Sequence, residues 1–155
     1  MLLPPPYITQ ACFCEKVLSE QDGVLSAIRI IDTLNVTVFK AKDFTGIVQK
    51  LDLLVTIKSG GFVGDGTLKI RAIAPNGEPV KNGESTSSMT LNGGVHGANI
   101  LISVGLTVDV PGVYWYEIYF NGRMLTRTPL AVSLTETPIS LPVATTNPRK
   151  KAKAN

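Results

Sequence analysis

The chain has 155 residues and a formal net charge of +3, with 44% hydrophobic and 17% charged residues. This composition excludes a disordered chain, and the length suits one domain with a substantial core. Fourteen glycines and ten prolines indicate many turns, and so short strands rather than long helices.

The positive charge belongs to the C-terminal end. The last segment holds four basic residues and no acidic one: Arg149, Lys150, Lys151 and Lys153. Residues 1–142 hold 11 basic and 12 acidic side chains, a balance that argues against an extended nucleic-acid footprint. We predict one sandwich domain over residues 1–137 and a disordered basic tail over 138–155. The tail offers only weak, salt-sensitive contacts to nucleic acid or other anionic partners.

The N-terminal residues carry no recognisable targeting signal, because three apolar residues run directly into Pro4-Pro5-Pro6. No stretch approaches the roughly 18–20 apolar residues of a membrane span. Cys12 and Cys14 fall on one face of a predicted strand, too close along the chain for an unstrained disulfide. Two reduced cysteines indicate a cytoplasmic protein.

The first third of the chain is rich in strand signals. Residues 7–19 predict a strand, with a short helix over 14–20 as the alternative, and Gln21-Asp22-Gly23 predicts a turn. Residues 25–39 are apolar and rich in β-branched side chains. Their length indicates two strands, or one strand with a bulge near Asp32-Thr33.

The middle of the chain alternates between strand and glycine-rich patterns. Residues 51–58, 67–74 and 98–110 alternate apolar and polar side chains and predict strands. Four glycines in 59–66 predict a loop or wide turn. The polar stretch 78–97 predicts mainly loop, including a possible ligand-binding loop over 82–97, with one candidate strand at 88–91.

A hairpin over residues 112–132 is the strongest local signal. Two alternating apolar runs meet at Asn121-Gly122, a dipeptide that tolerates positive φ at both positions. Short strands with regularly spaced turns predict an all-β, antiparallel, immunoglobulin-like sandwich of about seven to nine strands.

This hairpin resembles the last two strands of filamin-type immunoglobulin-like repeats. The shared pattern is Gly112-x-Tyr114, then Asn121-Gly122, then Pro129-Leu130-x-Val132. Thr128 replaces the usual serine of that pattern, and Leu130 replaces an aromatic residue. The resemblance implies that Tyr114, Tyr116, Ile118 and Phe120 face the core. Trp115, Glu117 and Tyr119 then face outward.

A second resemblance covers more of the chain. The run Ala11-Cys12-Phe13-Cys14-Glu15-Lys16-Val17-Leu18, then Asp22-Gly23, then Ser26-x-Ile28-Arg29-Ile30-Ile31-Asp32, is similar to an uncharacterised bacterial family, a domain of unknown function. The resemblance implies a bacterial, cytoplasmic, single-domain protein. It brings no catalytic residues.

Catalytic and metal-binding patterns are weak. His96 is the only histidine, and no nucleophile-elbow pattern surrounds its candidate partners Ser87, Ser88 and Ser103. Cys12, Cys14 and His96 fall short of a four-ligand zinc set. The glycines of 59–66 precede a strand, whereas a phosphate loop must open onto a helix. We expect no catalytic residues, no metal and no cofactor.

Four charged residues interrupt otherwise apolar strands: Glu15, Lys16, Arg29 and Asp32. Strand alternation places them on a solvent face. The sharper hypothesis is that Glu15 or Asp32 pairs with Arg29 across neighbouring strands and marks a partner-facing patch.

We therefore expect a non-enzymatic interaction or structural module that binds a protein partner or self-associates. The candidate contact residues are Trp115, Tyr119, Arg29, Asp32 and Glu15, because exposed aromatic residues are enriched at interfaces. The alternatives are a small-ligand or carbohydrate-binding module and, last, a hydrolase centred on His96.

Overall fold

The computed structural model describes residues 3–38 and 47–136, which contain seven strands and no helix. The strands are β1 (Tyr7–Ser19), β2 (Leu25–Ile31), β3 (Thr33–Val38), β4 (Ile47–Ile73), β5 (Pro79–Val108), β6 (Gly112–Phe120) and β7 (Arg123–Glu136). This confirms the predicted all-β class and strand number. The predicted basic tail lies outside the described residues.

One hydrogen-bonded sheet bends back on itself to make the two layers. The strand order is β2-β1-β4-β6-β7-β3, and β5 pairs with β4 over nearly its whole length. The first part of β4 pairs with β1, and its last part pairs with β6. β4 and β5 therefore contribute to both layers, and β3 closes the second layer by pairing parallel to β7.

The bend falls where the sequence predicts a loop at residues 59–66. The β4–β5 register shifts there, between Lys58 and Gly60 and again before Val63. Gly60 has φ +55, and the amide of Gly61 donates to the carbonyl of Pro4 at 2.7 Å. Glycine permits the left-handed conformation that turns the strand while pairing continues on both sides. The loop prediction is therefore wrong.

Two other expectations are corrected. Of the predicted loop 78–97, residues 79–97 belong to the continuous strand β5, because their backbone pairs with β4 despite the polar, glycine-rich sequence. Residues 14–20 form no helix, since β1 continues to Ser19 and pairs with β2. The break between β2 and β3 near Asp32 agrees with the predicted two strands.

The core lies between the layers. The buried face of β6 consists of alternate residues: Tyr114, Tyr116, Ile118 and Phe120. From the other layer, the Phe13 ring meets the Tyr116 ring edge-on, with 4.8 Å between centroids. A second, smaller cluster joins Cys14, Val17 and Leu54.

One hydrogen bond at the entry to β6 identifies the type of sandwich. The Tyr114 hydroxyl donates to the carbonyl of Val110 at 2.9 Å. A tyrosine near the start of the penultimate strand, bonded to backbone a few residues upstream, is the tyrosine corner of immunoglobulin-like sandwiches. The predicted immunoglobulin-like fold is confirmed. The Asn121-Gly122 turn follows, with φ values of +47 and +80.

Candidate functional site

The outer face of β6 presents half-buried side chains. Trp115, Glu117 and Tyr119 alternate with the buried residues of the same strand, as strand geometry requires. Their neighbours are set by register: Lys69 and Arg71 lie opposite on β4. We call this set, together with Glu84 and Arg127, the β6 outer face.

Charges of alternating sign cross this face in one row. Glu84 on β5 pairs with Arg71 on β4, Arg71 pairs with Glu117 on β6, and Glu117 pairs with Arg127 on β7. Arg71 Nη2 lies 3.4 Å from Glu117 Oε2. Lys69 Nζ lies 2.7 Å from Glu84 Oε1. Opposite charges on neighbouring strands stabilise the sheet modestly, and the Lys69, Glu84 and Arg71 side chains stay partly exposed while Glu117 is more buried.

The two aromatic side chains are held by these charges. The Arg127 guanidinium lies 4.4 Å from the centre of the Trp115 ring, within cation–π range. The Tyr119 hydroxyl donates to Glu117 Oε2 at 2.7 Å. That hydrogen bond to the carboxylate, with some desolvation, raises the pKa of Tyr119. Each aromatic side chain therefore has a charged neighbour that favours its observed position.

The Arg71 guanidinium is only partly available to a partner. Its Nε atom is buried without a hydrogen-bond partner in the described part of the chain, so contact with another molecule has to use the exposed end of the group, where Nη2 forms the ion pair with Glu117. A planar guanidinium recognises carbonyl and carboxylate groups. The β6 outer face thus offers aromatic contact area and directed hydrogen bonding, the chemistry of a protein-recognition surface.

The remaining predicted residues lie away from the β6 outer face. Arg29 Nε lies 3.3 Å from Glu15 Oε1, directly across β1 and β2, and both side chains are exposed. Arg29 has φ +52, a left-handed conformation uncommon for a residue other than glycine. Asp32 uses its carbonyl to accept from the Ala131 amide at 2.9 Å. The hypothesised Glu15–Arg29 pair therefore forms, separate from the aromatic residues.

The weak catalytic candidates are not brought together. Ser103 donates its hydroxyl to Asp52 at 3.0 Å, and Ser87 and Ser88 pair opposite β4 residues 68 and 67. The carbonyl of His96 accepts from the buried Ser59 hydroxyl at 2.8 Å. Among the described residues, no hydrogen bond joins the His96 ring to these serines.

The cysteines remain free thiols, and Cys14 is fully buried. Burial, with smaller contributions from Cys12 and Asp52, raises the pKa of the Cys14 thiol. Within residues 3–38 and 47–136, no group of three potential metal ligands occurs, and no helix is long and apolar enough to cross a bilayer.

Sequence reasoning missed Arg71, Glu84 and Arg127 as parts of the site. The alternation of 67–74 does place Lys69 and Arg71 opposite the apolar face. The missing information is the strand order, because nothing local in the sequence sets β4 beside β6.

By fold, the protein is an immunoglobulin-like β-sandwich. A family model described as a family of unknown function, DUF6941, matches residues 9–133, and the chain belongs to this family. The predicted membership of an uncharacterised family is confirmed to that extent, while its sequence motif and bacterial origin stay predictions. No curated protein matches the chain.

Several solved structures are similar to the chain. An immunoglobulin-like protein from Pseudomonas aeruginosa is 16% identical over 84% of this chain and 98% of its own, with a TM-score of 0.43. The CARDB domain of a Pyrococcus furiosus protein, solved with di-metal ions, is 11% identical over 82% of this chain and 90% of its own, with a TM-score of 0.38.

A third structure is the alkylpurine DNA glycosylase AlkC of Pseudomonas fluorescens bound to DNA with an abasic site analog. It is 13% identical over 65% of this chain, with a TM-score of 0.41. The similarity spans only 27% of the glycosylase chain. None of these three similarities transfers a ligand or an activity to this protein.

Proposed function

We propose that the protein is a non-enzymatic interaction module that self-associates through the β6 outer face. The observation that carries this proposal is the Trp115–Arg127 stack beside the Arg71–Glu117–Tyr119 network. Tryptophan, tyrosine and arginine are the residues most enriched among the energetically dominant positions of interfaces.

The charge row supports a second copy as the partner. It runs Glu84, Arg71, Glu117, Arg127, so its two ends have opposite signs. In a face-to-face dimer with the two-fold axis perpendicular to the row, each acidic residue meets a basic residue of the other copy. Two-fold interfaces require such self-complementary surfaces, and charge complementarity sets their orientation.

Two further features belong to this proposal. Free thiols at Cys12 and Cys14 support a reducing compartment, the bacterial cytoplasm. The carbohydrate-binding alternative loses its predicted 82–97 loop, since these residues form part of β5.

Light scattering over a concentration series tests the proposal. We expect the wild-type molar mass to rise toward that of a dimer, and Trp115→Ala to weaken association by about thirtyfold or more, as loss of a dominant contact does. Val63→Ala is the matched control, because Val63 is an apolar side chain exposed at the bend. A wild type that stays monomeric, or a Trp115→Ala variant that associates equally well, contradicts the proposal.

A further inference from the structure

The sandwich has an open side. β5 pairs with β4 alone among the described strands, so its other edge is unpaired in both layers. Between the first and last parts of β5 lies a cavity of about 240 Å³. Asn82, Glu84 and Ser85 lie on one side of it, and Ser103 lies on the other. A small molecule can therefore reach it without strand separation.

The cavity wall is mainly apolar and comes from both layers. The lining side chains from the inner faces of the strands are Ile70, Ala72, Ile102, Val104, Leu106 and Tyr116. Gly105 also lines the cavity, and a Cβ built there would meet nothing within 4 Å. An apolar cavity of 150 Å³ is enough to bind benzene, so this one has room for a substituted ring.

Tyr116 adds a buried polar group to the apolar part of this wall. The Tyr116 hydroxyl oxygen is buried and has no hydrogen-bond partner in the part of the chain that the structure describes. The residue is only 2% exposed, and its ring is fixed against Phe13. Burial raises the pKa of Tyr116, with a smaller contribution from Tyr114, so the hydroxyl stays protonated and can both donate and accept.

An unsatisfied buried hydroxyl is costly, and the cost is removed when a partner arrives. We propose that this cavity binds a small, mainly apolar molecule that carries one hydroxyl or carbonyl oxygen, which hydrogen-bonds to Tyr116. The apolar part fills the space between Ile70 and Val104. Glu84 borders both this cavity and the β6 outer face, but the anchoring residue is distinct, because Tyr116 lies on the buried side of β6 and Trp115 and Tyr119 lie on its outer side.

Benzyl alcohol and toluene are suitable probes, since they share a ring and differ by a hydroxyl group. Titration of the full chain, followed by amide NMR shifts, should show tighter binding of benzyl alcohol. In Tyr116→Phe, benzyl alcohol should bind about threefold to tenfold more weakly, the loss expected for one hydrogen bond, while toluene binds unchanged.

Tyr114→Phe is the matched control. It removes the same atom from the same strand face, but its hydroxyl is already bonded to Val110. We expect its preference for benzyl alcohol to equal that of the wild type. The shifted amides should include Ser85, Val104 and Gly105.

Three results overturn the proposal: neither probe binds, Tyr116→Phe keeps the wild-type preference, or the shifts cluster around Lys69, Tyr119 and Gly122 on the outer face. None of these results bears on self-association, which light scattering measures separately.

Discussion

Tyr114 and Tyr116 are both tyrosines and lie two residues apart on the same face of β6, yet their hydroxyl groups differ in environment. The Tyr114 hydroxyl donates to the Val110 carbonyl and so ties the start of β6 to the turn that precedes it. Tyr116 is equally buried, but its hydroxyl has no partner among the described groups. Alternation in the sequence predicts that both rings are buried. It cannot predict which hydroxyl finds an acceptor, because that depends on the path of the chain between β5 and β6.

This difference predicts opposite responses to the same substitution. Tyr114→Phe should lower the free energy of unfolding by about 0.5–1.5 kcal/mol, the net value of one hydrogen bond. Tyr116→Phe should leave it unchanged or raise it slightly, since no bond is lost. Urea unfolding of both variants measures the difference. Equal destabilisation by the two would contradict the assigned hydrogen bonding.

At the scale of elements, the β4–β5 pair is where sequence and structure differ most. Apolar alternation correctly predicts strands at 51–58, 67–74 and 98–110. Glycine and polar residues between them predict loops, but pairing continues through both stretches. Local composition shows which backbone conformations are allowed, but it does not show whether a partner strand lies alongside. Here the paired strand supplies the hydrogen bonds that make an extended backbone favourable.

Two glycines of β5 provide a matched test of this pairing. A Cβ built at Gly97 would lie 1.9 Å from the carbonyl oxygen of Ile57 on β4, whereas one built at Gly105 meets nothing within 4 Å. Gly97→Ala should therefore destabilise the protein by about 1–3 kcal/mol, because backbone must shift. Gly105→Ala should be neutral or stabilise it by about 0.4–1 kcal/mol through the unfolded chain.

Chemical unfolding of both glycine variants measures these stability changes. If Gly97→Ala proves as stable as Gly105→Ala, the two strands do not approach closely at Lys58 as the register requires.

The core of the whole molecule couples the two layers through aromatic side chains, and this coupling predicts a pH dependence. Because burial raises the pKa of Tyr116, its hydroxyl stays protonated in the folded protein at a pH where it ionises in the unfolded chain. The unfolded state then binds fewer protons, so stability falls as pH rises above about 10, the ordinary tyrosine value.

Each such ionisable group changes the free energy of unfolding by at most about 1.4 kcal/mol per pH unit. The comparison is between wild type and Tyr116→Phe, whose unfolding free energy should decline less steeply from pH 10 upward. Tyr119 and Cys14 also have raised pKa values, but they are common to both proteins and cancel in the difference. Parallel declines would contradict the burial of the hydroxyl.

The candidate site also depends on the whole molecule. The sequence predicts that Trp115 and Tyr119 point outward, and the structure agrees. The row from Glu84 to Arg127 lies on four consecutive strands, β4 to β7, and only the pairing of β4 with β6 joins its two halves. Single-strand patterns therefore reveal the aromatic half of the surface and miss its charged half.

The parallel pairing of β3 with β7 has a consequence for how the protein is made. Asn35 pairs with Ser133, 98 residues later, so among the described strands β3 has no pairing partner until the last strand leaves the ribosome. At about 5–20 residues per second, that interval lasts about 5–20 s. Throughout it, the nascent chain carries Val36 and Val38 on a strand whose backbone pairing is completed only when β7 has been made.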